Sequence, residues 1–392
     1  MSAHQMGSGQ MGSGRIAGER ERLARVALNR LGEPGEVKLT SLAAELGAVR
    51  LHDLLLGEVD PQGLRTDLGA RLAALDPERE LEQAARLGLR FVIPGDAEWP
   101  DQLGDLAAAG ALHDRGGVPV GLWVKGPLRL DELADAVAVV GSRAATQYGA
   151  DVAREIGAVV ARSGRPIVSG GAFGIDIAAH RGALSADRPT VAVLACGADR
   201  VYPQAHREIL EHLGRTGAVV SEAAPGCAPQ RVRFLARNRL IAALSRGTVV
   251  VEAARRSGAL NTANWAGRLH RVLMGVPGPV TSAGSAGVHE QIHTGAMALV
   301  TGGADVLELV GAVGECLRAE VSAPPDARDR LTTRQRQVLD AVPVGRAAGA
   351  DSIARVAGLG LLEVRSALTR LRDAGLVEAA GAGWRLTALA RA

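Results

Sequence analysis

The sequence predicts an α/β protein built on a doubly wound, mostly parallel sheet, with a helical unit before it and a small helix-and-hairpin unit after it. Three observations carry that expectation. Between about residues 136 and 310, short apolar runs alternate with amphipathic helical stretches. Those runs are apolar almost without interruption, as strands buried on both faces are. Several of them end in glycine- or serine-rich turns that lead straight into a helix.

Residues 1–16, with the repeat "QMGSGQMGSG", read as a disordered tail outside the fold. Residues 17–110 read as a helical domain. "RIAGERERLARVALNRLG" and "LTSLAAELGAVRLHDLLLG" place apolar residues three and four apart and close on glycine. Such a unit binds DNA or a partner, or packs against the rest of the chain.

Residues 111–315 form the predicted sheet domain. Its strands are expected in "AVAVVGS", "RPIVSGG", "TVAVLACG", "GAVVSEA", "GTVVVEA", "RVLMGVPG" and "ALVTGG". Helices such as "QYGADVAREIGAVVARSG" and "NTANWAGRLH" lie between them. Ligands of such sheets sit at the carboxyl ends of the strands. Residues 316–330, including "SAPPDARDR", read as a linker. Residues 331–392 read as a winged helix: two helices, a longer third carrying Arg365, Arg370 and Arg372, and a two-strand wing turning at Ala380-Gly381. Such modules bind duplex DNA or serve as protein contacts.

Length and composition bound the function. The chain has 392 residues, 47% hydrophobic, with a net charge of +3. Lys38 and Lys125 are its only lysines, so arginine carries the positive charge, whether through genome composition or for phosphate binding. Cys196, Cys227 and Cys316 show no metal-ligand spacing, and unpaired cysteines suit a cytoplasmic protein. No apolar run of about 18 residues predicts a membrane span. No metal or other cofactor is expected.

The candidate site gathers at the strand ends. Gly141-Ser142-Arg143 follows the first strand, and "SGGAFGIDIAAH" brings Gly170, Gly171 and Gly174 to a helix N-terminus, where backbone amides can meet an anion. The P-loop pattern and the dinucleotide-binding G-x-G-x-x-G are absent. Candidates for catalysis are thin. Asp176 and His180 are spaced to pair on one helix or to serve the helix separately, and Glu222 and Glu252 are general bases or anchors for Arg143, Arg237 and Arg239. Cys196 has no evident base beside it and reads as structural.

The sharpest feature is "RVRFLARNRLIAALS", in which Arg231, Arg233, Arg237 and Arg239 surround Phe234 and Asn238. Arginines beside apolar structure need anionic partners. A cationic strip beside an aromatic ring suits a single strand, its phosphates gripped and a base stacked. Phe234, Tyr148, Phe173, Tyr202 and Trp265 are the candidate stacking rings in a chain of 2% aromatics, so phosphate contacts would dominate.

These motifs, with "CGADRVYP", Ser221-Glu222, "VVVEAARRSGALNTANWA", "VPG" and "SAGVHEQIHTGA", resemble in order those of the DNA-processing protein A family, DprA or Smf, from about Trp99 to Asp305. The resemblance implies an extended Rossmann-like domain flanked by a SAM-like helical domain and a winged helix. It also implies a dimeric protein, not an enzyme, that binds incoming single-stranded DNA and loads the RecA recombinase during natural transformation. The family's pocket residues map onto Arg143, Phe234, Arg237, Asn238 and Arg239, with Arg231 as the basic residue three before the phenylalanine. His206 and His289 stand where the family usually has Asn, and imidazoles near phosphates would make binding pH-sensitive. Two other readings compete: a phosphoribohydrolase, although "GALNTA" at Gly258–Ala263 lacks that signature's glutamate, and a duplex-DNA regulator run by the winged helix.

Overall fold

The computed structural model describes residues 18–57, 66–312, 314–316 and 330–390. The tail at 1–16 and nearly all of the linker at 316–330 lie outside the described residues. The chain divides into two compact units, 1–318 and 319–392.

The first unit opens with α1 (Glu19–Leu31), α2 (Val37–Leu46), α3 (Ala48–Gly57), α4 (Asp67–Ala73) and α5 (Pro77–Arg86). Thr66 and Asp76 cap α4 and α5 by accepting backbone N–H bonds from Gly69 and Arg79. The helical run stops at Arg86 rather than near 110. β1 (Leu89–Val92) follows, then β2 (Leu122–Lys125), and both join the sheet. All seven strands expected from the sequence are present: β3 (Val137–Gly141), β4 (Ile167–Ser169), β5 (Thr190–Val193), β6 (Ala218–Ser221), β7 (Gly247–Val251), β8 (Val272–Val276) and β9 (Ala298–Leu299).

The sheet runs β1-β2-β6-β5-β4-β3-β7-β8-β9, parallel from β6 to β9, with β1 and β2 antiparallel at one edge. Winding proceeds outward in both directions from β3, so the topological switch lies between β3 and β7. Strand β3 shows why the runs are continuously apolar. Val137 and Val139 enter the core under α6 (Gln147–Arg162), α7 (Ile175–Ser185) and α12 (Gly303–Val310). Ala138 and Val140 face the opposite core, built with α9 (Arg231–Ala243) and α10 (Gly258–Arg268). Helices α8 (Arg207–Thr216) and α11 (Ala286–His293) complete the first unit. Both faces are buried, as expected of a largely parallel sheet covered by helices on each side.

The second unit contains α13 (Thr333–Asp340), α14 (Ala350–Ala357), α15 (Leu361–Asp373) and the antiparallel pair β10 (Val377–Ala380) and β11 (Gly383–Leu386) around their own core. The hairpin turns at Gly381-Ala382, one residue later than expected, because Gly381 supplies the positive φ of +60° that the turn needs. Among the described residues no helix is long and apolar enough to cross a membrane.

Candidate nucleic-acid interface

At the switch point, the carboxyl ends of β3 and β7 part around a cleft of about 480 Å³. Ser142, Arg143, Asp176, Arg237, Asn238 and Ser257 are among its walls. A narrower pocket of about 40 Å³ adjoins it, lined by Phe173, Tyr202, Pro203 and Phe234, and Arg143 borders both. The glycines before the helices act here as spacers. A Cβ on Gly170 would fall 1.6 Å from Nη1 of Arg237, and one on Gly141 would fall 1.9 Å from the Val251 carbonyl oxygen. Gly171 adopts φ +66°, a turn that an L side chain strains.

The arginines separate into two classes. Arg143 is exposed, and its guanidinium carbon lies 4.7 Å from the centroid of the Phe234 ring. Arg237 approaches the same ring at 6.0 Å. It is 5% exposed, its Nη1 donates to the Val193 carbonyl at 2.8 Å, and its Nε has no partner among the described residues. Burial lowers its guanidinium to about 10, so it stays cationic at neutral pH. Arg231, the first residue of α9, is also exposed. A cation there opposes the helix dipole and is not an intrinsic stabiliser of the helix. None of these three makes an ion pair among the described residues.

Arg233 and Arg239, expected to contact a strand, are instead held by internal carboxylates. Arg233 is buried, with Nε and Nη2 donating to Glu33 at 2.8 and 2.7 Å and Nη1 to the Ala228 carbonyl at 2.7 Å. That donation holds the Glu33 carboxyl below its usual range. Arg239 is wholly buried and donates twice to Glu222, each at 2.6 Å, and once to the Gly117 carbonyl at 3.1 Å. A side chain with no exposed surface cannot reach a strand. Asn238 is likewise largely committed, donating to Oδ1 of Asn261 at 3.1 Å, though it keeps an edge on the cleft.

The possible catalysts are occupied too. Glu222 serves Arg239 and also accepts from the Gly35 amide at 3.2 Å. Glu252 accepts from the Thr146 amide at 2.9 Å and from the Thr146 hydroxyl, anchoring the start of α6. Asp176 and His180 do not pair. Asp176 accepts from the Ala172 amide at 3.4 Å, and burial raises its carboxyl while the nearby Arg237 cation pulls it back. Thr190 donates its hydroxyl proton to the Ile167 carbonyl, so His180 Nδ1 donates to Thr190 Oγ1 at 2.9 Å. Burial drops His180 to about 3, and the ring is neutral. Cys196 is pushed by burial up to about 11, away from nucleophilic use.

His206 and His289 hold loops. His206 Nδ1 donates to the Gly171 carbonyl at 3.0 Å, and its ring lies edge-on to Phe173 at 4.6 Å. His289 Nε2 accepts from the Gly278 amide at 3.2 Å. Of the other candidate rings, Tyr202 packs 5.9 Å from Phe234, while Tyr148 donates to the Pro277 carbonyl and Trp265 is buried in the core. Glu33, Asn29 and Trp123 were not signalled by the sequence. Asn29 donates to the Glu222 carbonyl at 2.7 Å and accepts from the Trp123 indole at 2.8 Å, so they matter through contacts far along the chain.

Residues 90–311 match the model of the family described as DNA recombination-mediator protein A, more than half of the chain. The chain belongs to that family. A relative from Mycobacterium tuberculosis, provisionally named DNA processing protein DprA, is 44% identical over 363 residues, 92% of each chain. So long an alignment takes in residues of both the N-terminal helices and the C-terminal unit. Protein Smf of Synechocystis is 33% identical over 68% of this chain and 67% of its own. The X-ray structure of DNA processing protein A from Streptococcus pneumoniae superposes with a TM-score of 0.60 at 32% identity, covering 74% of this chain and 98% of that one. The sheet that carries the cleft thus lies within the part of the chain that matches the DprA family.

Proposed function

We propose that the protein binds single-stranded DNA at the switch-point cleft, and that as a homodimer it protects incoming strands and passes them to the RecA recombinase in natural transformation. One observation carries the binding step. Arg143 lies over Phe234 with Arg237 behind it, and neither cation has an internal carboxylate hydrogen-bonded to it. A phosphate supplies the missing anion and a base the partner for the ring. The carboxylates that a hydrolytic reading needs, Glu222 and Glu252, are taken up by Arg239 and Thr146.

Oligonucleotide anisotropy across a salt series tests this. Arg143→Ala should weaken single-strand binding and flatten the slope of log K against log salt by about 0.7. Equal binding by the variant and the unaltered protein would overturn the assignment. Duplex DNA in the same assay examines the C-terminal unit, where Arg365 and Arg370 are exposed on α15. Duplex preference that survives Arg143→Ala would favour the regulator reading.

A further inference from the structure

The first turn of α9 carries Phe234 to the site, yet little within the helix stabilises that turn. Its N-cap, Gln230, makes no side-chain cap bond, and no acidic residue lies in the first turn. Arg231 and Arg233 stand there instead, against the helix dipole. Helix ends with such sequences fray unless something outside holds them.

The turn between α1 and α2 is that hold. Glu33 takes both forks of Arg233, while the third nitrogen reaches the Ala228 carbonyl. One guanidinium therefore joins the N-terminal helices, the loop before α9 and the first turn of α9. Two residues on, Gly35 donates to Glu222, the partner of Arg239. Gly35 has φ +66°, and a Cβ there would stand 3.2 Å from the Arg239 guanidinium carbon. The turn is thus shaped for close approach to α9 at two levels, on either side of Arg237.

We infer that Glu33 is a positioning residue for strand binding: through Arg233 it fixes the first turn of α9 and keeps Phe234 beneath Arg143. This rests on the single-strand reading above. The N-terminal helices then act on DNA binding through the clamp, without touching the strand at Glu33.

The test uses the full chain with Glu33→Gln, and Arg143→Ala beside it, binding labelled oligo-dT across a salt series. Amide hydrogen exchange of residues 231–235 is followed on the same proteins. Glu33→Gln should weaken affinity about tenfold, the worth of one charge-assisted contact. Its salt slope should stay unchanged, because no phosphate contact is lost. Exchange in the first turn of α9 should quicken, and oligo-dT should slow it again. Unchanged affinity for Glu33→Gln, with binding lost in Arg143→Ala, would overturn the positioning role alone. Tighter binding with a steeper slope would overturn it as well, since Arg233 would then be a phosphate contact that Glu33 withholds. Arg143→Ala binding like the unaltered protein would sink the site reading first and the positioning role with it.

Discussion

Arg239→Ala tests whether Arg239 serves the fold or contacts a strand. The Arg239 and Glu222 side chains are 0% and 5% exposed and share two bonds of 2.6 Å. Truncation removes both bonds and the donation to the Gly117 carbonyl. Glu222 is left buried with the Gly35 amide, at 3.2 Å, as its remaining side-chain donor. An uncompensated buried charge of this kind costs about 3–5 kcal/mol. For a unit of this size, at roughly 2 °C per kcal/mol, the melting temperature should fall by about 6–10 °C. Replacing both partners, Arg239→Met with Glu222→Met, should cost less than either single change, because no orphan charge remains. Thermal melting followed by circular dichroism measures this, with single-strand binding taken well below the transition. The salt slope of Arg239→Ala should match that of the unaltered protein. An unchanged melting temperature with a flattened slope would refute the argument and return Arg239 to the strand.

Two further predictions concern the cleft and the core. Gly170→Ala places a methyl 1.6 Å from Arg237 Nη1 and should push the guanidinium off the Val193 carbonyl, weakening strand binding while the circular dichroism spectrum stays native; unimpaired binding would mean that Arg237 is not a contact. His180 has its folded value depressed from 6.5 to about 3, so between those values the unfolded chain holds one more proton, and its contribution to stability is lost as pH falls from 6.5 towards 3. The slope is about 1.4 kcal/mol per pH unit from this group. Urea unfolding from pH 7 to pH 4 should show a gentler acid limb in His180→Leu, and an identical limb would count against a buried neutral ring.

The parallel strands were legible because burial on both faces writes itself into the sequence as runs like "AVAVV". β1 and β2 were not. Each is four residues long, and their place is fixed by Phe91 stacking on Trp123 at 4.5 Å and by packing under α1 and α5. Nothing local in "LRFV" distinguishes that strand from the helical run before it. At the site, Arg143, Phe234 and Arg237 could be singled out from charge, aromatic spacing and resemblance together. The destinations of Arg233 and Arg239 could not. Glu33 lies 200 residues from Arg233, so no window of sequence holds both, and Glu222 could have anchored any of three arginines. Charge clustering shows that partners are needed; only the fold decides which are internal.

That division has an energetic consequence. Burying an arginine is tolerable when a carboxylate and carbonyls satisfy its fork, as at Arg233 and Arg239. Arg237 is equally buried but has one carbonyl, the Val193 oxygen, and an unpartnered Nε, with Asp176 acting on it only through the field. The burial that lowers its proton affinity is a free-energy cost the free protein carries. If the cleft takes a phosphate, as proposed, the anion would offset part of that cost at Arg237. By linkage, a strand bound there should stabilise the fold by RT ln(1 + L/Kd), where L is the free strand concentration, a gain that keeps rising with L. Arg143 is exposed and carries no such cost, so any contribution from it would come through attraction and stacking. On the proposed reading the two arginines would hold a strand for different reasons: Arg143 because it is exposed and free to reach it, Arg237 because the fold leaves its fork only partly satisfied.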